Sequence, residues 1–149
     1  MFVGEQATRY AYVYWNMGWS QNSRWIGCKA RLRMSESDEI VIASIEDSKE
    51  FKVLHSASGI GSDIAWSPDH QRIAFPINPG NGRQPGLFTV SREKAGPAER
   101  SPLSQSDLKI VGFDWSHDGK YIAIAGQKIA QPSKESMDPF GTKPTSKIK

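Results

Sequence analysis

Trp66-Ser67-Pro68-Asp69-His70-Gln71-Arg72-Ile73-Ala74-Phe75 reads as a strand end, a tight turn and a returning strand. Ile64-Ala65-Trp66 supplies the short apolar approach. Pro68 presets φ for a turn, and Asp69 is placed to accept backbone N–H bonds from the residues that follow it. Arg72–Phe75 then returns with the β-branched and aromatic content of a strand. The same phrase occurs twice more without gaps. Upstream it is Trp19-Ser20-Gln21-Asn22-Ser23-Arg24-Trp25-Ile26-Gly27-Cys28, and downstream it is Trp115-Ser116-His117-Asp118-Gly119-Lys120-Tyr121-Ile122-Ala123-Ile124. The three tryptophans stand 47 and 49 residues apart, each followed by Ser and, seven positions on, by Ile. Gly119 offers the positive φ that a tight hairpin turn needs. The first copy, with Gln-Asn-Ser in place of Pro-Asp-Gly, departs most from the phrase.

Each repeat carries further strand signals. Glu39–Ile45 and Phe51–Leu54 follow the first phrase, and Gly86–Val90 with a weaker Glu99–Leu103 follow the second. Four short antiparallel strands recurring every 47 to 49 residues is the period of β-propeller blades. Helical repeats do not fit, because no stretch holds apolar residues at helical spacing over ten positions. The Gly-Gly pair of kelch repeats and the Gly-His and Trp-Asp dipeptides of common WD repeats are also missing. Pro76, directly after Ile73-Ala74-Phe75, removes a ladder donor and is expected to mark a strand end or bulge.

Trp66–Phe75 resembles the Trp-Ser-Pro-Asp-Gly-x-x-Ile-Ala-Phe motif of the TolB-like, WD-repeat-like β-propeller family, and Trp115–Ile124 is similar with His117 in place of Pro. The resemblance covers residues 10 to 126. It implies an all-β fold, a partial propeller of about three blades built from four-stranded antiparallel sheets and not closed within one chain. The expected organisation is an N-terminal strand in residues 1–15, a first blade at 16–58, a second at 59–104, a partial third at 105–126 and a disordered basic tail at 127–149. Tyr10–Trp15 is read either as part of a blade whose other strands are missing or as a strand pairing beyond the two-stranded third blade or beyond one from a second chain. A propeller must close, and two readings follow. The chain is a fragment of a larger TolB-like propeller protein, or two copies self-associate and complete the ring. TolB-like relatives are often exported, which implies the periplasm, whereas residues 1–15 lack the basic start and apolar run of a signal peptide, which leaves the cytoplasm as the default.

Composition narrows the function classes. The 149 residues carry 38% apolar and 10% aromatic side chains, five of them Trp, a mix suited to a β-rich protein with large anchors. The net charge of +3 resides in the tail, where Lys128, Lys134, Lys143, Lys147 and Lys149 outnumber Glu135 and Asp138. A neutral body with a basic end lacks the cationic face that nucleic acid requires. No segment has the length to insert in a membrane. Cys28 is the lone cysteine, which rules out an internal disulfide, and it reads as a small core residue.

No side chain is expected to form a catalytic, cofactor-binding or metal site, and no cofactor is implied. Asp69 and Asp118 read as turn caps. Trp19, Trp66 and Trp115 read as packing between blades. His55, His70 and His117 lack the spacing of a metal site. Ser116-His117-Asp118 are consecutive, and adjacent side chains in an extended segment point apart, which argues against a triad. Ser58–Asp63 matches neither a serine-hydrolase elbow nor a phosphate loop and reads as the link between blades. The expected function is a non-enzymatic interaction or scaffold module, with a protein or small ligand held by loops such as Asn78–Gln84. The rival is the propeller part of a prolyl-oligopeptidase-type serine peptidase whose catalytic domain is a separate segment.

Overall fold

The computed structural model describes residues 8–14, 16–47, 49–78, 80, 85–94, 97–100 and 108–128. Every element defined among them is a β-strand. The first sheet contains β1 (Tyr10–Val13), β2 (Gly18–Trp19), β3 (Trp25–Leu32), β4 (Asp38–Ser44) and β5 (Phe51–Ala57). The second contains β6 (Ala65–Trp66), β7 (Arg72–Ile77), β8 (Gly86–Ser91) and β9 (Glu99–Arg100), and the third pairs β10 (Leu108–Trp115) with β11 (Ile122–Lys128). All pairings are antiparallel, and strands follow chain order across each sheet.

The N-terminal strand belongs to the first sheet, not to a separate blade. β1 pairs with the Ala30–Leu32 end of β3, and β2 pairs with Ile26 and Gly27 of the same strand. The Tyr14 N–H continues the ladder to the Lys29 carbonyl (2.9 Å). Tyr10–Tyr14 and Gly18–Trp19 therefore lie along the same edge of β3. The physical reason is length: β3 has eight residues, and the two of β2 leave most of its inner edge unpaired.

The other sheets repeat this device. Ile60 bridges Ile77, and the Gly61 N–H reaches the Pro76 carbonyl (2.8 Å), ahead of the Ala65–Trp66 pairing. In the third sheet the break is a bulge between Ile110 and Gly112. Pro76 accordingly lies inside β7, buried, and does not end it. Its carbonyl faces the inner strand, so its missing N–H falls on the same side, where that strand is interrupted.

One correction concerns the chain's later part. β11 runs through Lys128, which pairs with Leu108, so the third sheet extends two residues into the expected tail. Residues 129–149 of that tail lie outside the described ones.

The main core fills the space between the first and second sheets. Ile40, Ile42 and Leu54 meet Trp66, Ile73, Phe75 and Val90 there, with Ile60 and Ile77 closing one end. Strand alternation puts Val41 on the opposite face of the first sheet, where Tyr10, Cys28 and Ala30 form a second cluster.

Candidate functional site

The three repeat turns share one hydrogen-bond pattern. In the second, Ser67 Oγ donates to Asp69 Oδ1 (2.5 Å) and accepts the Arg72 N–H (2.9 Å), while Asp69 Oδ1 also takes the Gln71 N–H (3.0 Å). In the third, Ser116 Oγ donates to Asp118 Oδ1 (2.7 Å), and the N–H groups of Lys120 (3.1 Å) and Tyr121 (2.9 Å) complete the set. The first turn does the same with an amide. Ser20 Oγ meets Asn22 Oδ1 (2.7 Å), which takes the Arg24 N–H (3.1 Å), and Ser20 Oγ takes the Trp25 N–H (3.0 Å). Gln21-Asn22-Ser23 thus builds the same turn, because an Asn carbonyl accepts as a carboxylate oxygen does. The fifth position has positive φ each time: Ser23 at 56°, His70 at 60° and Gly119 at 69°.

These bonds set the chemistry of the carboxylates. The Ser67 hydroxyl, then the Gln71 N–H, hold the Asp69 carboxyl below the usual range, and Ser116 with Lys120 does so for Asp118. Both are stabilised as anions and committed to turns. Ser116 Oγ donates to Asp118 with no part for His117, so these neighbours form no relay. The His55 ring packs near Phe75, with centroids 5.6 Å apart. Among the described residues, no group of three His, Cys, Asp or Glu side chains is placed to hold a metal ion.

Two of the three tryptophans pack between sheets in equivalent ways. The Trp66 indole N–H donates to the carbonyl of Gly18 (2.9 Å), the residue before Trp19. The Trp115 indole N–H donates to the carbonyl of Ala65 (3.2 Å), the residue before Trp66. The indole of Trp66 lies against the cross-strand pair Gly18 and Gly27, where an added Cβ would stand 3.3 and 3.0 Å from the ring. Trp19 departs from the expected packing. It is 57% exposed, since its side of the first sheet carries no further sheet among the described residues.

A buried charge network crosses the first sheet. Asp38, fully buried, is held by Arg31 and by Lys29 Nζ (3.1 Å), which also donates to the Ile60 carbonyl (2.5 Å). On the opposite face Glu39 accepts from Arg9 Nη2 (2.6 Å) and from the Tyr10 hydroxyl (2.7 Å). Burial, reinforced by Glu39, raises the Tyr10 pKa. All of these groups are matched in charge and hydrogen bonding, which makes the network a tie between the inner strand, β3 and β4.

Solved structures share the fold. TolB from Acinetobacter baumannii aligns with 72% of this chain and 25% of its own, at a TM-score of 0.53 and 18% identity. The apo form of AtxE2 isopeptidase aligns with 76% of this chain and 22% of its own (0.57, 15%), and Kuenenia stuttgartiensis hydrazine synthase with 72% and 35% (0.54, 18%). This chain is a partial β-propeller. It spans between 22% and 35% of the length of those chains. Neither a protein-family model nor a curated protein matches the sequence.

The second blade carries a groove of about 810 Å³ beside its outer strands, lined by Asp69, Arg72, Thr89, Ser91, Lys94 and Glu99 among others. Arg72 turns toward the third blade, its guanidinium 5.7 Å from the Trp115 ring centre. The groove mixes both signs of charge and gathers no reactive set. Of the loop Asn78–Gln84, only Asn78 and Gly80 are among the described residues. Sequence reasoning missed the Lys29–Arg31–Asp38–Glu39 network. The one available signal was two cations alternating in one strand signal and two anions opening the next.

Proposed function

We propose that this chain is a non-enzymatic scaffold, a stretch of a larger TolB-like propeller whose blades hold exposed loops toward a protein or small ligand. The observation that carries this reading is the commitment of the repeat's reactive side chains. Ser20, Ser67 and Ser116 and the carboxylates of Asp69 and Asp118 are all engaged in turn hydrogen bonds. The peptidase reading, in which the catalytic domain is a separate segment, draws on likeness of fold alone. AtxE2 is an isopeptidase by name, and the likeness to it extends to the fold.

A fluorophosphonate probe for activated serines provides the test. It is expected to leave the purified chain unlabelled, and no cleavage of peptide or isopeptide substrates should accompany it. Labelling of any of the three turn serines, with turnover, overturns the reading. Photo-crosslinkers placed at Met34, an exposed turn residue, and at Gln71 supply the binding arm. They should give a discrete adduct with a component of the source cell, and its absence at both sites removes the partner.

A further inference from the structure

Every member of the buried charge network has an opposite partner, yet one face of the sheet carries a surplus. Asp38, Ile40 and Ile42 alternate along β4, and the two isoleucines pack toward the second blade, so Asp38 shares their face. Arg31 stands opposite Asp38 in the register, and Tyr12 stands opposite Arg31. The three side chains therefore form one row across β1, β3 and β4. Tyr14 and Lys29 form the adjoining row, joined by their backbone bond. Arg31 and Lys29 both pair with Asp38, two cations to one carboxylate, while Arg9 and Glu39 balance each other on the opposite face. One positive charge is left over beside the two phenols.

The hydrogen bonds of this face run outward from that charge. Arg31 gives Nε and Nη2 to Asp38, and Nη2 also reaches the Tyr14 hydroxyl (3.4 Å). Tyr14 donates in turn to the Tyr12 hydroxyl (3.3 Å). Lys29 Nζ lies 4.0 Å from the centre of the Tyr14 ring. A cation on the ring and a guanidinium on its oxygen strengthen Tyr14 as a donor, and each bond of the chain polarises the next. The chain ends at Tyr12, which is 53% exposed and whose hydroxyl donates to no described residue. Arg31 Nη1 is the second uncommitted donor, on a side chain 28% exposed. Both blades of this junction have their four strands among the described residues, so the site draws on neither outer face of the arc.

We propose that Tyr12 and Arg31 bind a carboxylate presented by a protein partner, either an acidic side chain or a chain end. The Tyr12 hydroxyl takes one oxygen and Arg31 Nη1 the other, and the surplus charge is neutralised. Two donors suit a planar group with two oxygens. A phosphate has more oxygens than the site has donors, and the buried Asp38 carboxylate opposes a second negative charge. Tyr12 is half open to solvent, which suits a group carried on a larger chain. The proposal rests on the scaffold reading above and names the chemistry by which its partner is held.

Nuclear magnetic resonance of the full chain with labelled tyrosine tests it, because the chain has only four tyrosines and Tyr12→Phe identifies the Tyr12 ring signal. The probes are acetyl-Gly-Glu-Gly-amide, its Gln counterpart, and acetyl-Gly-Gly-Gly with a free carboxyl end. A saturable shift of the Tyr12 and Tyr14 signals is expected with one or both carboxylate peptides, at a Kd on the order of 1 mM for two charge-assisted hydrogen bonds. Response to the Glu peptide alone assigns an acidic side chain, and response to the free end alone assigns a chain end. The Gln peptide should leave both signals in place. Tyr12→Phe, followed on the Tyr14 signal, should weaken binding roughly tenfold. Tyr14→Phe, which keeps the Tyr12 hydroxyl but cuts it from Arg31, should weaken it roughly threefold. Tyr121→Phe, outside the site, should change nothing. Signals that stay fixed with every peptide at about 20 mM, far above such a Kd, overturn the proposal. So does an equal response to the Gln peptide, a response to inorganic phosphate in place of the carboxylates, or an affinity indifferent to both Tyr12→Phe and Tyr14→Phe. Each of those results leaves the scaffold reading intact, which falls only to the serine probe and the crosslinks.

Discussion

At the scale of the residue, the turn rather than the tryptophan is the invariant of this chain. The phrase Trp-Ser-x-Asp/Asn builds the same three-bond knot three times although only Ser is identical within each turn. That equivalence was half legible. Asp69 and Asp118 announce it, whereas Asn22 hides it, because its acceptor oxygen is shared with Asp but its place in Gln-Asn-Ser breaks the written motif. The ionisable versions bring a pH dependence. A carboxyl held below its ordinary range in the folded state contributes stability at pH values above the unfolded value of about 4, and that contribution is lost as pH falls through the folded value. Asp69→Ala is therefore expected to cost about 1 kcal/mol at pH 6, the partial exposure of the group limiting the effect, and less at pH 3. Urea denaturation at the two pH values checks this. A cost that grows on acidification contradicts the assignment. Ser67→Ala removes a buried hydroxyl that both donates and accepts, and should cost about 1–2 kcal/mol at either pH.

At the scale of the element, the strands and hairpins from β2 to β11 could be anticipated from β-branched content and turn residues. β1 could not be placed, because it precedes the repeated phrase and its partner is chosen by the unpaired edge of β3. The network across that strand was equally hidden. Arg31 faces Asp38 in the register between β3 and β4, and register is set by the whole sheet's burial pattern rather than by the charges themselves. Asp38→Ala strips two cations of a fully buried partner and should cost about 3–5 kcal/mol, the range for one half of a buried pair. Gly27 is the matching steric test. An added Cβ would meet Trp66, Ile73 and Ile64 between 3.0 and 3.2 Å, so Gly27→Ala should overpack the junction by about 1–3 kcal/mol. At Gly112 the nearest atom stands 3.8 Å away, and Gly112→Ala is expected to leave thermal stability near the wild type. Melting curves of the pair decide whether the first junction is as tight as its geometry states.

At the scale of the whole molecule, the described residues form an arc whose middle is covered by packing between sheets and whose two outer faces carry no further sheet among them, and the repeat of the Trp-Ser phrase already conveyed the stacking of the middle. What it did not convey is how unevenly the ends are finished. The outer face of the first blade is partly sealed over Cys28, whose thiol is pushed up to about 12 by burial. A thiol so placed is protonated and inaccessible at neutral pH. Native chain is expected to resist thiol-modifying reagents and to become labelled in urea at the rate at which the first blade opens. Rapid labelling without denaturant would show that the face is open throughout. The third blade, by contrast, shows Val111 and Tyr121 to solvent.

The direction of the indole bonds has a temporal meaning as well. Every donor lies later in the polypeptide than the carbonyl it reaches, by 48 residues at one seam and 50 at the next. A ribosome releases the amino end first. Each newly extruded hairpin therefore arrives to find its latch plate already made, and the arc can grow by successive one-way closures without waiting for anything still to be synthesised.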